Sequence, residues 1–244
     1  LALGLLGVER LLMTGTLHLP IPAVILGGPL YRGEGFFMLI LFGVSLLLAG
    51  PTWCSWLCYL GPLDLAAALR TPAPHFSTIN SRRRGIAQIV IALFFLAAAL
   101  GLGHAGAPRF VAVTAALGFG LTGLGVMALL SRRFGIMLHC TAWCPVGLVT
   151  TLLGRIIPLR LRIGATCDDC GACITTCRYD ALTSESIAQR RPGLSCTLCG
   201  DCLSACPENA LAYACGPLQS GNARRLAIVL ITSLHAIFLG CARI

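Results

Sequence analysis

Two runs of cysteine residues have the spacing of iron–sulfur ligands. Residues 167–177 and residues 196–206 both follow the pattern C-x2-C-x2-C-x3-C. In two-cluster ferredoxins, each such run places three thiolates on one [4Fe–4S] cube and sends its fourth thiolate to the other cube. Zinc and disulfides are the alternatives, but this doubled spacing favours clusters. The predicted ligands are Cys167, Cys170, Cys173 and Cys206 for cluster I and Cys196, Cys199, Cys202 and Cys177 for cluster II.

Two further cysteine pairs, each with a C-x3-C spacing, lie outside these runs. A glycine follows three residues after the second cysteine of each pair, at Gly61 and at Gly147, which indicates an internal repeat. Because residues four apart share one face of a helix, each pair offers two thiols in one direction. If the pairs meet, they supply four thiolates for a third iron–sulfur cluster or a redox-active thiol site; ordinary buried cysteines are the alternative. The residues of this candidate site, called here the twin-cysteine site, are Cys54, Cys58, Cys140 and Cys144.

No residue is predicted to be catalytic. The sequence has no glycine-rich phosphate loop, no hydrolase triad and no carboxylate pair suited to acid–base catalysis. His139, directly before Cys140, is a candidate to modify the twin-cysteine site or to hydrogen-bond a quinone. Whether the chain is itself an enzyme stays open, and electron transfer by bound cofactors is the expected chemistry.

The composition indicates that a membrane positions these cysteines. Hydrophobic residues make up 57% of the 244 residues, charged residues only 11%, and the mean hydropathy is +0.85. A soluble domain carries about 25% charged residues, so a water-facing globule and a disordered chain are both excluded. The net charge of +9 comes from arginines that lie mainly between apolar runs, which favours a role in membrane topology over nucleic-acid binding.

Uncharged windows predict about five membrane spans. Residues 1–8 are interpreted as the end of a first helix, and the other spans are the windows 35–54, 85–108, 110–131 and 226–242. The segments 51–69 and 134–154, which contain the cysteine pairs, are predicted to lie at the interface. The predicted fold is therefore a polytopic α-helical membrane protein with two interfacial cysteine-bearing segments and an inserted α+β ferredoxin-like domain that holds two [4Fe–4S] clusters.

Acidic residues separate the ferredoxin segment from the rest of the chain. Residues 163–216 hold six of the nine acids against three arginines, whereas the remaining chain is strongly basic. This predicts a membrane domain over residues 1–162, a ferredoxin domain over 163–216 and a C-terminal membrane helix over 217–244. The positive-inside rule then predicts a multi-pass protein of the inner (cytoplasmic) membrane, with the ferredoxin domain on the cytoplasmic side.

The order of these features resembles the NapH/MauN-type family of membrane-bound polyferredoxins, whose core is shared by NosR-like proteins. The resemblance covers roughly residues 35–210 and rests on the twin cysteine motifs followed by a two-cluster ferredoxin. Cys140, Cys144 and Pro145 match the family motif C-x3-C-P fully, whereas Tyr59 follows Cys58 where the family has proline. The resemblance implies electron transfer linked to the quinone pool, beside further redox subunits.

The function predicted from these features is that of a membrane electron-transfer subunit. It would relay electrons between a quinone pool or a partner redox subunit and two [4Fe–4S] clusters, with the twin-cysteine site as an additional redox centre. The expected partners are membrane lipid, quinone and other redox subunits, and no nucleic acid. Two alternatives are an accessory protein that supplies electrons for the maturation or regulation of a metalloenzyme, and an anchor whose clusters only stabilise the fold.

Overall fold

The computed structural model describes residues 23–72, 81–154, 156–218 and 220–241, and it is mostly helical. One two-stranded sheet is present in this part of the chain. π-Helical segments occur at Trp53–Leu57, Val126–Ser131 and His139–Trp143. The α-helices and strands in chain order are α1 Ala23–Arg32, α2 Phe37–Ala49, α3 Leu60–Ala68, α4 Ser81–His104, α5 Arg109–Gly125, α6 Arg132–Phe134, α7 Pro145–Leu153, β1 Leu159–Ile163, α8 Ala172–Thr176, α9 Ser184–Ala188, α10 Asp201–Ser204, β2 Leu211–Cys215 and α11 Ser220–Cys241.

Among the described residues, two helices are long and apolar enough to cross a membrane. They are α4, Ser81–His104, and the continuous helix Arg109–Phe134, which α5, a π-helical segment and α6 form together. Only 11% of the most apolar window of each helix is buried, so these surfaces differ from the core helix of a soluble protein. Phe94, for example, leaves 71% of its surface uncovered on α4. These helices support an association with the membrane, in the windows predicted at 85–108 and 110–131.

The structure corrects the prediction of about five spans. Among the described residues, these two helices alone are long and apolar enough to cross a membrane. The window 35–54 contains α2, which has 13 residues. At 1.5 Å per residue, α2 is about 20 Å long, shorter than the roughly 30 Å of a bilayer core. It ends at Ala49. Gly50 follows with a φ of 63°, and Pro51 comes next in the chain. Residues 1–8 and the end of the window 226–242 lie outside the described residues.

The ferredoxin segment is built on a short antiparallel sheet. β1 and β2 pair with Leu159 opposite Cys215 and Ile163 opposite Leu211. The side chains of β1 alternate between buried and exposed, as expected for a strand with one face on a core. The sheet begins at Leu159, before the predicted domain boundary at residue 163. Together with the short helices α8–α10, it forms an α+β unit of the kind expected for a ferredoxin-like domain.

Candidate iron–sulfur site

The two C-x3-C segments fold alike. Each begins with a π-helical turn, Trp53–Leu57 or His139–Trp143, and each is followed by a nine-residue helix, α3 or α7. The second cysteine closes the turn in both cases, because its N–H donates to the carbonyl five residues earlier, over 2.9 Å in one segment and 2.8 Å in the other. The internal repeat in the sequence is therefore a repeat of backbone conformation.

The replacement of proline by Tyr59 leaves this conformation unchanged. Cys144 is extended, with φ −77° and ψ 121°, as expected for a residue before proline. Cys58 has φ −82° and ψ 120° without a following proline. The second cysteine of each pair thus lies at the end of a turn. The spacing had predicted that both cysteines of a pair share one face of an α-helix, and the structure differs on this point.

A glycine allows each nine-residue helix to approach the π-helical turn before it. A Cβ atom at Gly61 would lie 2.4 Å from the carbonyl oxygen of Cys54, and one at Gly147 would lie 2.3 Å from that of Cys140. Real Cβ atoms do not come this close to a backbone oxygen. Gly61 and Gly147, the two glycines of the internal repeat, therefore have the same physical role. Each lets the first cysteine of its motif pack under the following helix.

The four cysteines of the two motifs meet in one cavity. The Sγ atom of Cys54 lies 3.2 Å from the Oγ1 atom of Thr150 on α7, which ties the first motif to the second half of the repeat. The cavity is lined by Cys54, Cys58, Cys140 and Cys144 together with Trp53, Leu60, His139, Val146 and Gly147.

Burial keeps these four thiols protonated when no cation is near. It raises the pKa of Cys54, Cys58 and Cys140, and it raises the pKa of Cys144 to about 12. Charges on neighbouring cysteines of the same site raise the pKa of Cys54, Cys140 and Cys144 further. Reactive redox thiols need a lowered pKa and access to solvent, so this environment disfavours a thiol–disulfide site. A bound cationic centre would instead stabilise the thiolates.

The donor set fits an iron–sulfur cube. In the part of the chain that the structure describes, no three histidine, cysteine, aspartate or glutamate side chains are grouped so as to hold a single metal ion. A [4Fe–4S] cube binds each of its four thiolates through a different iron, so its ligands surround a larger object than one ion. Four cysteines around one cavity, two of them buried and two half-buried, supply the number and type of ligands that such a cube takes.

Polar groups from two other helices hold the second motif in place. The carboxylate of Asp64 on α3 is fully buried and accepts a hydrogen bond from the N–H of Cys140 over 3.1 Å. The Nε2 atom of Gln88 on α4 donates to the carbonyls of Cys140 and Cys144 over 3.2 and 3.1 Å. Burial raises the pKa of Asp64 to about 6. The sequence analysis did not identify Asp64 or Gln88, although a lone acid in an apolar segment is a functional signal.

His139 lies beside the cavity and is buried. A Cβ atom at Gly123 would lie 2.7 Å from its imidazole ring, so the helix that contains Gly123 packs directly on it. Burial lowers the pKa of His139 to about 4, and the imidazole is therefore neutral near pH 7. Its position is compatible with a modifying role at the twin-cysteine site. No observation places a quinone against it.

The ferredoxin cysteines raise one another's pKa. Burial raises the pKa of Cys173, and charges on Cys167, Cys206 and Cys170 raise it further. Burial also raises the pKa of Cys202, where the neighbouring thiols are those of Cys196, Cys199, Cys177 and, last, Cys173. The assignment of these cysteines to clusters I and II stays a prediction.

Two matching turns support these groups. The N–H of Ala181 donates to the Sγ atom of Cys177 over 3.3 Å, and the N–H of Ala210 donates to that of Cys206 over the same distance. Hydrogen bonds to cysteine sulfur are among the features by which a protein sets the potential of a cluster. The fourth cysteine of each run therefore lies in the same local environment.

The second cysteine run of the ferredoxin segment lies against the twin-cysteine site. The Ser55 hydroxyl donates to the Thr197 carbonyl over 2.8 Å, and the Trp56 indole N–H donates to the Leu198 carbonyl over 3.3 Å. The N–H of Met137, just before the second motif, donates to the Arg178 carbonyl over 2.9 Å. Three hydrogen bonds thus join the two cysteine-rich parts of the chain at one interface.

An ion pair and a set of arginine contacts strengthen this interface. Arg84 on α4 forms an ion pair with Asp180, and both side chains are 5% exposed. Arg178 donates to the backbone carbonyls of Thr71, Pro72 and Gly135. Arg178 stands where the ferredoxin pattern has proline, and its side chain binds the connection between the membrane helices and the cysteine motifs.

Comparison with known proteins supports an iron–sulfur protein. Residues 35–68 and 114–164 match the family model described as a 4Fe-4S binding domain. These two segments contain the C-x3-C pairs, and the match lies outside the ferredoxin run of cysteines. No curated protein and no solved structure matches the chain. The chain is therefore similar, in the two halves of its repeat, to proteins that bind [4Fe–4S] clusters, and this supports a general role in electron transfer.

Proposed function

We propose that this protein is a membrane electron-transfer subunit with three iron–sulfur centres, two in the ferredoxin segment and one at the twin-cysteine site. The observation that carries the proposal is the meeting of four cysteines, two buried and two half-buried, from two repeated motifs in one cavity. The segments that supply them match a 4Fe-4S model, and a hydrogen bond from Ser55 joins the first motif to the second ferredoxin run. One-electron transfer is the chemistry that such clusters supply.

The residues of the chain would hold and insulate these centres. Cys54, Cys58, Cys140 and Cys144 would bind the third centre, while Trp53, Leu60 and Val146 exclude water from it. Gln88 and Asp64 fix the backbone of the second motif, so that its thiols stay directed into the cavity. The protein thus contributes ligand position, polarity and burial, which are the properties that tune a bound cluster.

The membrane setting agrees with the resemblance to NapH/MauN-type proteins. α4 and the helix Arg109–Phe134 are long and apolar enough to cross a membrane, and both contact the second motif, through Gln88 and Gly123. With the arginine-rich ends inside, the ferredoxin segment would face the cytoplasm, and its excess of acids would favour a partner with a basic docking surface. A quinone pool or a neighbouring redox subunit is the proposed electron donor or acceptor.

Iron content tests this proposal. The anaerobically purified protein should contain about twelve irons, because it would hold three [4Fe–4S] cubes. The variant Cys140→Ser, Cys144→Ser should contain about eight irons, because only the two ferredoxin cubes would remain. Electron paramagnetic resonance should show one signal fewer in the variant. The matched control is Cys215→Ser, in β2 and outside both ligand patterns, which should keep about twelve irons. About eight irons in the parent protein would overturn the third centre.

The charge of Asp64 should lower the reduction potential of the twin-cysteine site. The variant Asp64→Asn keeps an oxygen that accepts from the N–H of Cys140 but removes the negative charge. If the substitution weakens the repulsion between residue 64 and the electron added on reduction by about 1.4 kcal/mol, the reduction potential of the site rises by about 59 mV for a one-electron couple. A redox titration at about pH 8, where the carboxylate is ionised, measures this shift.

An exposed acid provides the comparison for this titration. Glu185 lies on the surface of α9, and the variant Glu185→Gln should leave the same potential almost unchanged, because solvent and salt screen its charge. An unchanged or lower potential in Asp64→Asn would contradict the expected effect of the buried charge.

A further inference from the structure

We infer that Tyr179 is the contact through which the twin-cysteine site exchanges electrons with cluster II, so that the three centres work in the order twin-cysteine site, cluster II, cluster I. The inference rests on the proposed function, because it needs a redox centre at the twin-cysteine site. It concerns a residue that lies outside both ligand patterns, and it assigns a route that the spacing of the cysteines does not contain.

The first observation is the position of the Tyr179 side chain. It is 5% exposed and forms a buried group with Ala68 and Met137. The thiols that pack against this group come from the two proposed centres: Cys140 from the twin-cysteine site, and Cys177 and Cys199 from cluster II. The buried group that contains this ring therefore borders ligands of both centres.

The second observation is that the ring reaches into the first cysteine motif as well. The Tyr179 hydroxyl lies 4.0 Å from the position of a Cβ atom at Gly61, the glycine that packs on the carbonyl of Cys54. The backbone next to Tyr179 is fixed, since the Arg178 carbonyl accepts from the N–H of Met137 over 2.9 Å. Tyr179 is thus held in place by the same interface that joins the two cysteine-rich parts.

The third observation is a groove beside this ring, lined by Trp56, Leu65, Tyr179 and Cys199, among others. Shortening the side chain would enlarge the space here, and neighbouring groups relax only partly into the space that a removed side chain leaves. Electron tunnelling decays more steeply across empty space than through packed atoms, so the ring matters for the rate.

The position of cluster I places it at the far end of the route. Cys170 is exposed, and Asp168 and Asp169 beside it are exposed too. None of the cluster I cysteines packs against the group around Tyr179. Cluster I is therefore the centre that a soluble partner can approach, and cluster II is the one that contacts the twin-cysteine site.

The step is a single electron transfer. The bound cubes would supply the redox chemistry, with one giving up the single electron that the other takes up. No bond forms or breaks, and no proton moves, because the phenol of Tyr179 supplies packed atoms and is not itself oxidised. The hydroxyl group is therefore dispensable, whereas the volume of the ring is not.

The test measures the rate at which electrons redistribute between the centres after a light-induced reduction of the purified protein. Tyr179→Leu should slow the exchange between the twin-cysteine site and cluster II by about tenfold or more, equivalent to about 1.4 kcal/mol of barrier. Tyr179→Phe should keep the parent rate. Redox titrations and iron content should match the parent in both variants, so that a slower rate reflects the path and not a changed potential.

Tyr213 provides the matched control. It is also buried, and its hydroxyl donates to the Leu198 carbonyl over 2.9 Å, but it packs in the core of the ferredoxin segment. Tyr213→Leu should leave the exchange rate at the parent value. An equal slowing in Tyr179→Leu and Tyr213→Leu, or parent rates in both, would overturn the route through Tyr179.

A second measurement needs no tyrosine variant. When all centres are reduced, the spin relaxation of cluster II should be faster in the parent than in the variant Cys140→Ser, Cys144→Ser, and that of cluster I should be the same in both. Faster relaxation of cluster I alone would overturn the proposed order while leaving three centres in place. About eight irons in the parent would instead overturn the proposed function itself.

Discussion

Replacing Arg84 with methionine should lower the free energy of unfolding by about 3–5 kcal/mol, because it leaves the buried carboxylate of Asp180 without its partner. The ion pair is 5% exposed on both sides and joins a membrane helix to the loop that follows Cys177. Thermal or denaturant unfolding of the detergent-solubilised protein measures the loss. The iron of cluster II should be lost at a lower temperature than in the parent, since Asp180 lies on its loop.

A double-mutant cycle isolates the ion pair. Asp180 has a φ of 51°, so asparagine, which tolerates this conformation, is the suitable replacement. The variant Arg84→Met, Asp180→Asn should lose less than the sum of the single variants, by about 0.5–3 kcal/mol. The exposed pair of Arg190 and Asp169, 2.7 Å apart, is the control: Arg190→Met should cost no more than about 1 kcal/mol. Equal losses in Arg84→Met and Arg190→Met would contradict the prediction.

Replacing Gly147 with alanine should remove the iron of the twin-cysteine site. The added Cβ atom would lie 2.3 Å from the carbonyl oxygen of Cys140 and 2.8 Å from the amide nitrogen of Gln88. Helix α7 must then move away from the π-helical turn, which separates the thiols and costs about 1–3 kcal/mol in strain. Iron analysis should show a fall from about twelve to about eight irons per chain.

The same substitution elsewhere separates this effect from a general one. A Cβ atom at Gly125 meets no atom within 4 Å, and alanine is the better helix former, so Gly125→Ala should keep all of the iron. Gly61→Ala, where the carbonyl oxygen of Cys54 would lie 2.4 Å away, should behave as Gly147→Ala does. Retention of about twelve irons in both motif variants would show that the close approach is not required.

Local spacing accounts for the parts of the site that could be predicted from the sequence. The repeat was visible because its cysteines and glycines recur at the same offsets, and the structure gives both copies the same turn. The predicted grouping of the eight ferredoxin cysteines followed from a known motif, in which the fourth cysteine of each run binds the cluster of the other run. The assignment of these cysteines to two clusters stays a prediction that the iron measurements test.

Hydropathy predicted the membrane helices less well. It located α4 and the helix Arg109–Phe134, but it read the window 35–54 as one span. Hydropathy values do not show where the backbone changes direction. Because Gly50 has a positive φ and Pro51 follows it, α2 ends after 13 residues. An apolar segment therefore was mistaken for a spanning helix because the residues that end it are themselves uncharged.

The supporting residues could not be predicted because their contacts are long-range. Gln88 binds carbonyls 52 and 56 residues away, and Asp64 binds an N–H 76 residues away. Tyr179 borders cysteines from three separate segments of the chain. None of these residues has a recurring spacing, and their roles depend on which helix faces which motif.

The contacts between Ser55 and Thr197 and between Trp56 and Leu198 have a consequence for biosynthesis. Each joins residues 142 positions apart. While the chain is being translated, Ser55 and Trp56 leave the ribosome long before Thr197 and Leu198 are made. The two hydrogen bonds can therefore form only after residue 198 has emerged, so the interface between the two cysteine-rich parts is completed late in synthesis.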